Sequence, residues 1–120
     1  SSTIAEMVKY MTNTFLATKV SFANEIFEIC ERLGIDYDKV TEYATYDERL
    51  GKSHWAVPGP DGKMGFGGSC FPKDINALIS VARDKLDLWP STLIGAWATN
   101  LDVRPEKDWE ELKGRAVVDE

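Results

Sequence analysis

The sequence feature that most restricts the fold is an uninterrupted helical pattern from Thr3 to Leu33. Apolar residues recur in this span at steps of three or four, with one polar step at Thr18. The series is Ile4, Val8, Met11, Phe15, Phe22, Ile26, Ile29 and Leu33. No proline interrupts the span, and Gly34 follows it as a suitable terminator. The pattern therefore predicts a single helix about 45 Å long, from a rise of ~1.5 Å per residue.

A second apolar series occupies another face of the same predicted helix. Its members are Met7, Leu16, Val20, Ala23, Phe27 and Cys30. A helix that is apolar on more than one face is buried on more than one side. Two explanations are open: a partner subunit or neighbouring domains cover the helix, or its own domain wraps it completely. We predict a homodimer built on this helix and on the helices that pack against it.

Three or four shorter helices are expected after the long one. The patterns predict helices over residues 36–48, 72–85 and 91–103, then a short acidic helix or helical tail over 106–112. The inward-facing residues of the 72–85 helix are predicted to be Ile75, Leu78, Ile79 and Ala82. No confident strand precedes 116–118, so the predicted fold class is all-α.

Turn-forming residues dominate the stretch from residue 52 to residue 71. Loops of that length in compact domains are usually functional or disordered. This loop ends in the ten residues Gly-Phe-Gly-Gly-Ser-Cys-Phe-Pro-Lys-Asp, from Gly65 to Asp74. Glycine lets a ligand approach the main chain closely, and Pro72 suits the first turn of a helix.

Cys70 is thus placed just ahead of a helix N-terminus and beside Lys73, and both features favour the nucleophilic thiolate. Asp74 follows one helical turn later. Structural explanations are open for the same residues. The glycines can simply form turns, Cys70 can be a small apolar residue, and Asp74 can interact with the helix dipole.

The length of 120 residues predicts one domain, and the composition excludes several classes of function for it. The net charge of −6 argues against a nucleic-acid partner. Two cysteines, Cys30 and Cys70, do not form a disulfide framework, so we expect a reducing, cytoplasmic location. No apolar run is long enough for a membrane span. His54 is the single histidine and has no ligand partner at a suitable spacing, so no metal site is expected.

Lys9 and Asn13 are four residues apart on the long helix and therefore share a face. On an otherwise apolar stretch they could donate hydrogen bonds to an oxyanion, although an exposed lysine is the common alternative. The run from Lys9 through Asn13 to Glu25 resembles the central helix of the UDP-glucose/GDP-mannose dehydrogenase family. The run from Gly65 to Asp74 resembles that family's catalytic-cysteine loop, and the two occur in the family's order with comparable spacing.

This resemblance covers about residues 1–104 and implies the family's central domain, which joins two Rossmann domains and dimerises. Neither Rossmann domain is expected within this chain. Residues 105–120 are expected to form an acidic tail or linker. The run 112–119 resembles the last strand of the family's carboxyl-terminal domain, so the tail could be a remnant of that domain. As an isolated fragment the chain is expected to be inactive.

The resemblance also implies site residues and a reaction. The implied catalytic residues are Cys70, Asp74, Lys9 and Asn13. The implied substrate-binding residues are Arg49, Gly65, Phe66, Gly67, Gly68 and Phe71. Lys73 is implied to face the cofactor, NAD, whose site lies mostly outside this chain. Arg49, within Asp47-x-Arg49-Leu50-Gly51, is implied to reach the substrate across a dimer interface.

The implied reaction oxidises UDP-glucose to UDP-glucuronate in two hydride transfers, through a thiohemiacetal and a thioester on Cys70. Asp74 would position or deprotonate the hydrolytic water, and Lys9 and Asn13 would stabilise the negative oxygen. Two alternatives are open. The substrate could be GDP-mannose or a UDP-N-acetylhexosamine, or the chain could be a non-catalytic helical dimerisation module.

Overall fold

The long helix dominates the computed structural model, which describes residues 2–112. Helix α1 spans Ser2–Leu33 without a break, in a molecule whose longest dimension is 43 Å. It ends where Gly34 adopts a left-handed φ of 71°. The N–H of Ile35 then donates to the Cys30 carbonyl at 2.8 Å, and the N–H of Gly34 to that of Glu31 at 3.2 Å, which satisfies the last carbonyls of the helix. The prediction of one long helix is confirmed.

Helix α2 is shorter than predicted. It spans Tyr37–Ala44, and Asp36 caps it by accepting hydrogen bonds from the N–H groups of residues 38 and 39. The prediction that this helix continues to residue 48 is wrong. The Thr45 hydroxyl bonds back to the Thr41 carbonyl, and the Asp47 carboxylate caps a separate 3-10 turn at Glu48–Leu50. A short polar side chain that bonds the local backbone, here Asp47, thus begins a separate turn within the predicted helix.

The two remaining α-helices form the wall opposite α1. Helix α3 spans Cys70–Ser80 and continues through a π-helical turn at Val81–Lys85. It begins two residues before the predicted start, so Cys70 lies within its first turn rather than ahead of it. Helix α4 spans Ser91–Val103, and a 3-10 segment follows at Asp108–Leu112.

Residues 2–112 contain no strand, and the all-α prediction is confirmed. The possible strand at 116–118 lies outside the described residues.

Helix α1 packs against both α3 and α4, and the main core lies between them. This core consists of Ala17, Phe66, Ile75, Ile79 and Ala96. Phe66 comes from the glycine-rich loop, so the loop is anchored in the centre of the domain. Of the predicted inward-facing series, Ile75, Ile79 and Ala82 are buried, whereas Leu78 is only partly buried. A second cluster, which covers the other end of α1, consists of Ala23, Cys30, Tyr37 and Val57.

One apolar face of α1 is not covered by the domain. Eight large apolar side chains on this helix are each more than half exposed to solvent. They are Ile4, Met7, Val8, Met11, Phe15, Phe22, Ile29 and Leu33, and they are called the α1 stripe below. A contiguous exposed surface of this kind is typical of an interaction site. No helix within residues 2–112 is long and apolar enough to cross a membrane.

Candidate active site

Two buried asparagines hold the backbone of the glycine-rich loop against the helices. Asn24 on α1 accepts a hydrogen bond from the N–H of Gly65 at 3.2 Å. Asn100 on α4 bonds both polar groups of the Phe66 peptide, accepting from its N–H at 2.7 Å and donating to its carbonyl at 2.9 Å. Gly65 has a φ of 67°, and a Cβ there would overlap the Asn100 side chain. The loop backbone at residue 65 and the Asn100 side chain therefore fit together only because residue 65 is glycine.

The sequence analysis did not predict these asparagines. Each is a lone amide on an apolar face of a helix, at a position where a leucine or alanine would be ordinary. Both are fully buried, at 2% exposure for Asn24 and 0% for Asn100. A buried amide requires hydrogen-bond partners, and a loop backbone without regular structure supplies them. Lone asparagines on apolar helix faces, in a chain with a long irregular loop, could therefore have indicated side chains that bind the loop backbone.

Cys70 lies in the first turn of α3 with its thiol exposed. Its sulfur is 4.0 Å from the hydroxyl oxygen of Ser69, the residue that precedes the helix. Lys73, the predicted cofactor-facing residue, is exposed in the same turn. Asp74 is four residues after Cys70 and therefore shares its face of the helix.

Asp74 is the point at which α1 and α3 meet through polar groups. Its side chain is buried, yet Asn13 on α1 donates a hydrogen bond to its Oδ2 at 2.6 Å. Lys9, one turn earlier on α1, places its Nζ 3.8 Å from the other oxygen, Oδ1. The structure therefore brings together three of the four predicted catalytic residues, and the fourth, Cys70, lies one helical turn away.

One oxygen of this carboxylate is incompletely satisfied. Oδ1 of Asp74 has no hydrogen-bond partner among residues 2–112, although it is buried. Its neighbour Lys9 is close enough for electrostatic attraction but too distant for a hydrogen bond. A buried carboxylate oxygen in this state favours a small polar group beside it.

A cavity of about 400 Å³ opens beside the loop. Its walls are formed by Val20, Ser53, His54, Ala56, Gly59, Pro60, Asp61, Gly65, Phe66, Gly67 and Phe71. Four of the six predicted substrate-binding residues are among them, whereas Gly68 and Arg49 are not. The Phe71 ring contacts the Phe66 ring at 6.0 Å and the His54 ring at 5.9 Å between centroids. The aromatic wall suits a flat or partly apolar ligand surface.

Arg49 lies apart from this cavity. Its side chain is 88% exposed, and its guanidinium donates to both oxygens of the Asp47 carboxylate, from Nε to Oδ1 at 3.0 Å and from Nη2 to Oδ2 at 2.7 Å. The hydrogen bonds from Arg49 hold the pKa of Asp47 below its usual range. Within one copy of the domain, Arg49 does not meet the other predicted site residues.

Lys19 fixes the segment that carries Arg49. Its ammonium is buried and donates to the Leu50 carbonyl at 2.8 Å, and it stands 4.9 Å from the centre of the Trp55 ring. Burial lowers the pKa of Lys19. Because no carboxylate pairs with it in the described residues, the carbonyl and the ring face provide its stabilisation. The sequence analysis did not single out this residue.

The sequence comparisons show the family of this domain. The model of the UDP-glucose/GDP-mannose dehydrogenase family, central domain, matches residues 3–100. The chain belongs to this family. Residues 2–112 of this dehydrogenase-family domain contain no cluster of His, Cys, Asp and Glu that could hold a metal ion.

Named relatives of this dehydrogenase-family domain come from distant organisms. UDP-glucose 6-dehydrogenase TuaD of Bacillus subtilis is 49% identical over 79 residues, which are 66% of this chain and 16% of that protein. UDP-glucose 6-dehydrogenase of Rickettsia prowazekii is 36% identical over 127 aligned residues, covering 95% of this chain and 26% of that protein. UDP-glucose 6-dehydrogenase AglM of Haloferax volcanii is 39% identical over 115 residues, covering 96% of this chain and 25% of that protein. The chain thus spans about a quarter or less of these relatives.

Proposed function

We propose that this chain is the catalytic-cysteine and dimerisation domain of an NAD-dependent dehydrogenase that oxidises UDP-glucose to UDP-glucuronate. The observation that carries the proposal is the buried carboxylate of Asp74, held by Asn13 from α1 and one helical turn from the exposed thiol of Cys70. The names of the relatives favour UDP-glucose over GDP-mannose or a UDP-N-acetylhexosamine.

The proposed reaction uses Cys70 as a nucleophile. After the first oxidation has produced an aldehyde, the Cys70 thiolate attacks its carbonyl carbon and forms a C–S bond, leaving a negative oxygen. Departure of a hydride from the same carbon restores the carbonyl and gives a thioester. Water then attacks the thioester, the C–S bond breaks, and the acid and the thiol are released. The exposed position of Cys70 in the first turn of α3 suits this role.

Asp74, Lys9 and Asn13 supply the polar groups of both steps. The unpartnered Oδ1 of Asp74 can accept a hydrogen bond from the attacking water and take its proton. Lys9, with 56% of its side chain exposed, can turn its ammonium towards the negative oxygen of the substrate. The Asn13 amide has two N–H donors, and its bond to Asp74 uses only one of them.

NAD supplies the hydride acceptor when it is bound. A dinucleotide of this kind commonly binds where a parallel strand runs into the N-terminus of a helix. Residues 2–112 offer no such strand, and Lys73 is the one residue here that we assign to the cofactor side. We therefore propose that NAD is bound mainly by another part of a longer protein, and that residues 1–120 alone do not reduce NAD.

The proposed enzyme acts as a homodimer. The α1 stripe presents eight large apolar side chains, each more than half exposed, to a second copy of the chain. Burying an apolar side chain of this size contributes about 1.5–3 kcal/mol. The exposed guanidinium of Arg49, which lies apart from its own copy's cavity, is then assigned to the substrate of the partner subunit.

The experiment compares two variants of the dehydrogenase that carries this domain. Cys70→Ser is expected to block formation of the acid, because a hydroxyl is a far weaker nucleophile at neutral pH. Asp74→Asn is expected to slow hydrolysis by about 10²–10⁴-fold, so a covalent sugar-nucleotide adduct accumulates on Cys70. Mass spectrometry of enzyme quenched during turnover detects the adduct.

Two matched variants act as controls. Cys30→Ala removes the other cysteine, which is buried in the second core cluster, and Asp102→Asn removes an exposed carboxylate of α4. Both are expected to retain acid production and to accumulate no adduct. Near-normal acid production by Cys70→Ser would refute the assignment of the nucleophile.

A further inference from the structure

Arg104 is a fully buried arginine at the end of α4, with 1% of its side chain exposed. Helix α4 stops at Val103 because Pro105 disfavours a helical conformation in the residue before it, and Arg104 is extended, with φ −110° and ψ 107°. The extended residue turns its guanidinium away from the helix and towards the glycine-rich loop. Nη1 donates to the Met64 carbonyl at 3.0 Å.

Two carboxylates complete the surroundings of the guanidinium. Nη2 of Arg104 bonds Asp61 at 3.0 Å and Asp108 at 3.2 Å, and Nε donates to the Glu106 carbonyl at 2.9 Å. We call Arg104, Asp61 and Asp108 the Arg104 clasp. Lysine cannot replace this arginine, because one ammonium nitrogen cannot reach acceptors arranged around the three nitrogens of a planar fork.

Asp108 connects the clasp to the other end of the loop. Its Oδ2 accepts a hydrogen bond from the N–H of Gly68 at 2.9 Å. Burial acts to raise the pKa of Asp108, but hydrogen bonds from Gly68 and Arg104 outweigh it and hold the pKa below its usual range. The clasp thus holds the Met64 carbonyl and the Gly68 N–H, on either side of Gly-Phe-Gly. Gly67 lies against the guanidinium so closely that a Cβ would overlap it.

We propose that Arg104 and Asp108 are positioning residues that act through Gly68 to set the location of Cys70. Gly68 is the last backbone point held by a side chain before α3, and only Ser69 separates it from Cys70. Its φ is 73°. If the clasp were lost, the consecutive glycines Gly67 and Gly68 would sample many conformations. The first turn of α3, which carries Cys70, would then no longer have a fixed position. The location of a nucleophile to within about 1 Å strongly affects its reactivity.

The effect of this positioning on catalysis rests on the proposed role of Cys70 as the nucleophile. The positioning itself is a property of the domain and can be measured without NAD or a sugar nucleotide. Failure of the dehydrogenase assignment and failure of the positioning assignment therefore give different results.

The test uses the full 120-residue chain with Asp108→Asn and Arg104→Lys, and Glu110→Gln as the matched control. Glu110 is an exposed acidic residue of the same 3-10 segment. Two quantities are measured: amide hydrogen exchange by mass spectrometry, and the rate at which iodoacetamide alkylates Cys70 at pH 7. Cys30 is buried and is the slow-reacting internal reference.

Asp108→Asn and Arg104→Lys are both expected to raise exchange in residues 61–70 by about tenfold, with exchange in α1 unchanged. Alkylation of Cys70 at pH 7 is expected to slow about threefold, because the released loop no longer holds the thiol at its exposed position. Glu110→Gln is expected to match the unmodified chain.

An alkylation rate of Cys70 that stays unchanged in Asp108→Asn would overturn the proposal, whatever the hydrogen exchange of the loop does. A uniform rise of exchange over the whole domain would overturn it as well, because Arg104 and Asp108 would then stabilise only the fold. If Arg104→Lys fails to fold, Asp108→Asn still decides, since an NH2 donor replaces one of the two carboxylate oxygens and the side chain can no longer accept from both Arg104 and Gly68 as the carboxylate does.

Discussion

At the scale of single residues, Gly67 and Gly95 differ in the space beside them. A Cβ on Gly67 would overlap the Arg104 guanidinium, whereas a Cβ on Gly95 in α4 would meet nothing within 4 Å. Gly67→Ala is therefore expected to lower the free energy of unfolding by about 1–3 kcal/mol, as overpacking does. Gly95→Ala is expected to raise it by about 0.5–1 kcal/mol, because glycine is unfavourable inside a helix.

Urea unfolding followed by circular dichroism measures both changes. The same substitution at both positions makes each variant the control for the other. Equal effects of the two variants would show that the contact between Gly67 and Arg104 does not limit the space at residue 67.

Tyr37 gives a prediction for alkaline pH. Its ring is buried and its hydroxyl donates to the Trp55 carbonyl at 2.6 Å. Burial, followed by the negative charges of Asp38 and Cys30, raises the pKa of Tyr37 to about 12. The native state therefore keeps a proton that the unfolded chain releases near pH 10. The stability from this group is present below about pH 10 and is lost as the pH rises towards 12.

Absorbance titration at 295 nm is expected to show one of the four tyrosines ionising late. Tyr37→Phe should remove this late step and flatten the loss of unfolding free energy above pH 10. Tyr43→Phe, at an exposed position of α2, should retain both the late ionisation step and the loss of unfolding free energy above pH 10. A late step that persists in Tyr37→Phe would contradict the assignment.

Residue chemistry was only partly predictable from the sequence. Lys9, Asn13 and Asp74 were assigned from the resemblance of the two runs that contain them to the family's central helix and catalytic-cysteine loop, while their local spacing alone left structural explanations open. Arg104 and Asp108 were not chosen, because their partners lie in a loop about 40 residues earlier. Side chains that hold irregular backbone have no periodic pattern.

At the scale of elements, periodicity predicted the long and apolar helices well. Helix α1 begins within one residue of its prediction, and α4 begins and ends where the pattern does. The prediction for α2 fails in its second half because the Asp47 side chain accepts from the N–H of Arg49 and begins a separate 3-10 turn, and this local competition outweighs a weak apolar pattern. Helix α3 begins early because the first four N–H groups of a helix have no intrahelical acceptor, so Pro72, which has no N–H, fits at the third position as well as at the first.

At the scale of the whole molecule, the α1 stripe predicts the state of assembly. Light scattering at micromolar concentration is expected to show a dimer of the chain. Phe15→Glu is expected to give a monomer, because twofold symmetry places the new carboxylate in the interface twice. Phe15 is 62% exposed within one copy, so the substitution leaves the domain's own core intact.

Thr92→Glu is the control for the added charge. It introduces the same side chain in the first turn of α4, at an exposed position where a negative charge favours the helix. This variant should remain dimeric. A monomer for the unmodified chain, or a dimer for Phe15→Glu, would show that the stripe is not the interface between copies.

The attachment of the glycine-rich loop has a consequence for the order of folding. The hydrogen bonds from Asn24, Asn100 and Asp108 to the loop join residues 41, 34 and 40 positions apart. Contacts so distant in sequence form late, because the intervening chain must first lose its freedom. A ribosome adds about 5–20 residues per second, so Cys70 is synthesised seconds before Arg104 and Asp108 exist. An unfinished nascent chain therefore carries the Cys70 thiol before the residues that hold the loop in place have been synthesised. The loop is fully held only when α4 has packed against α1.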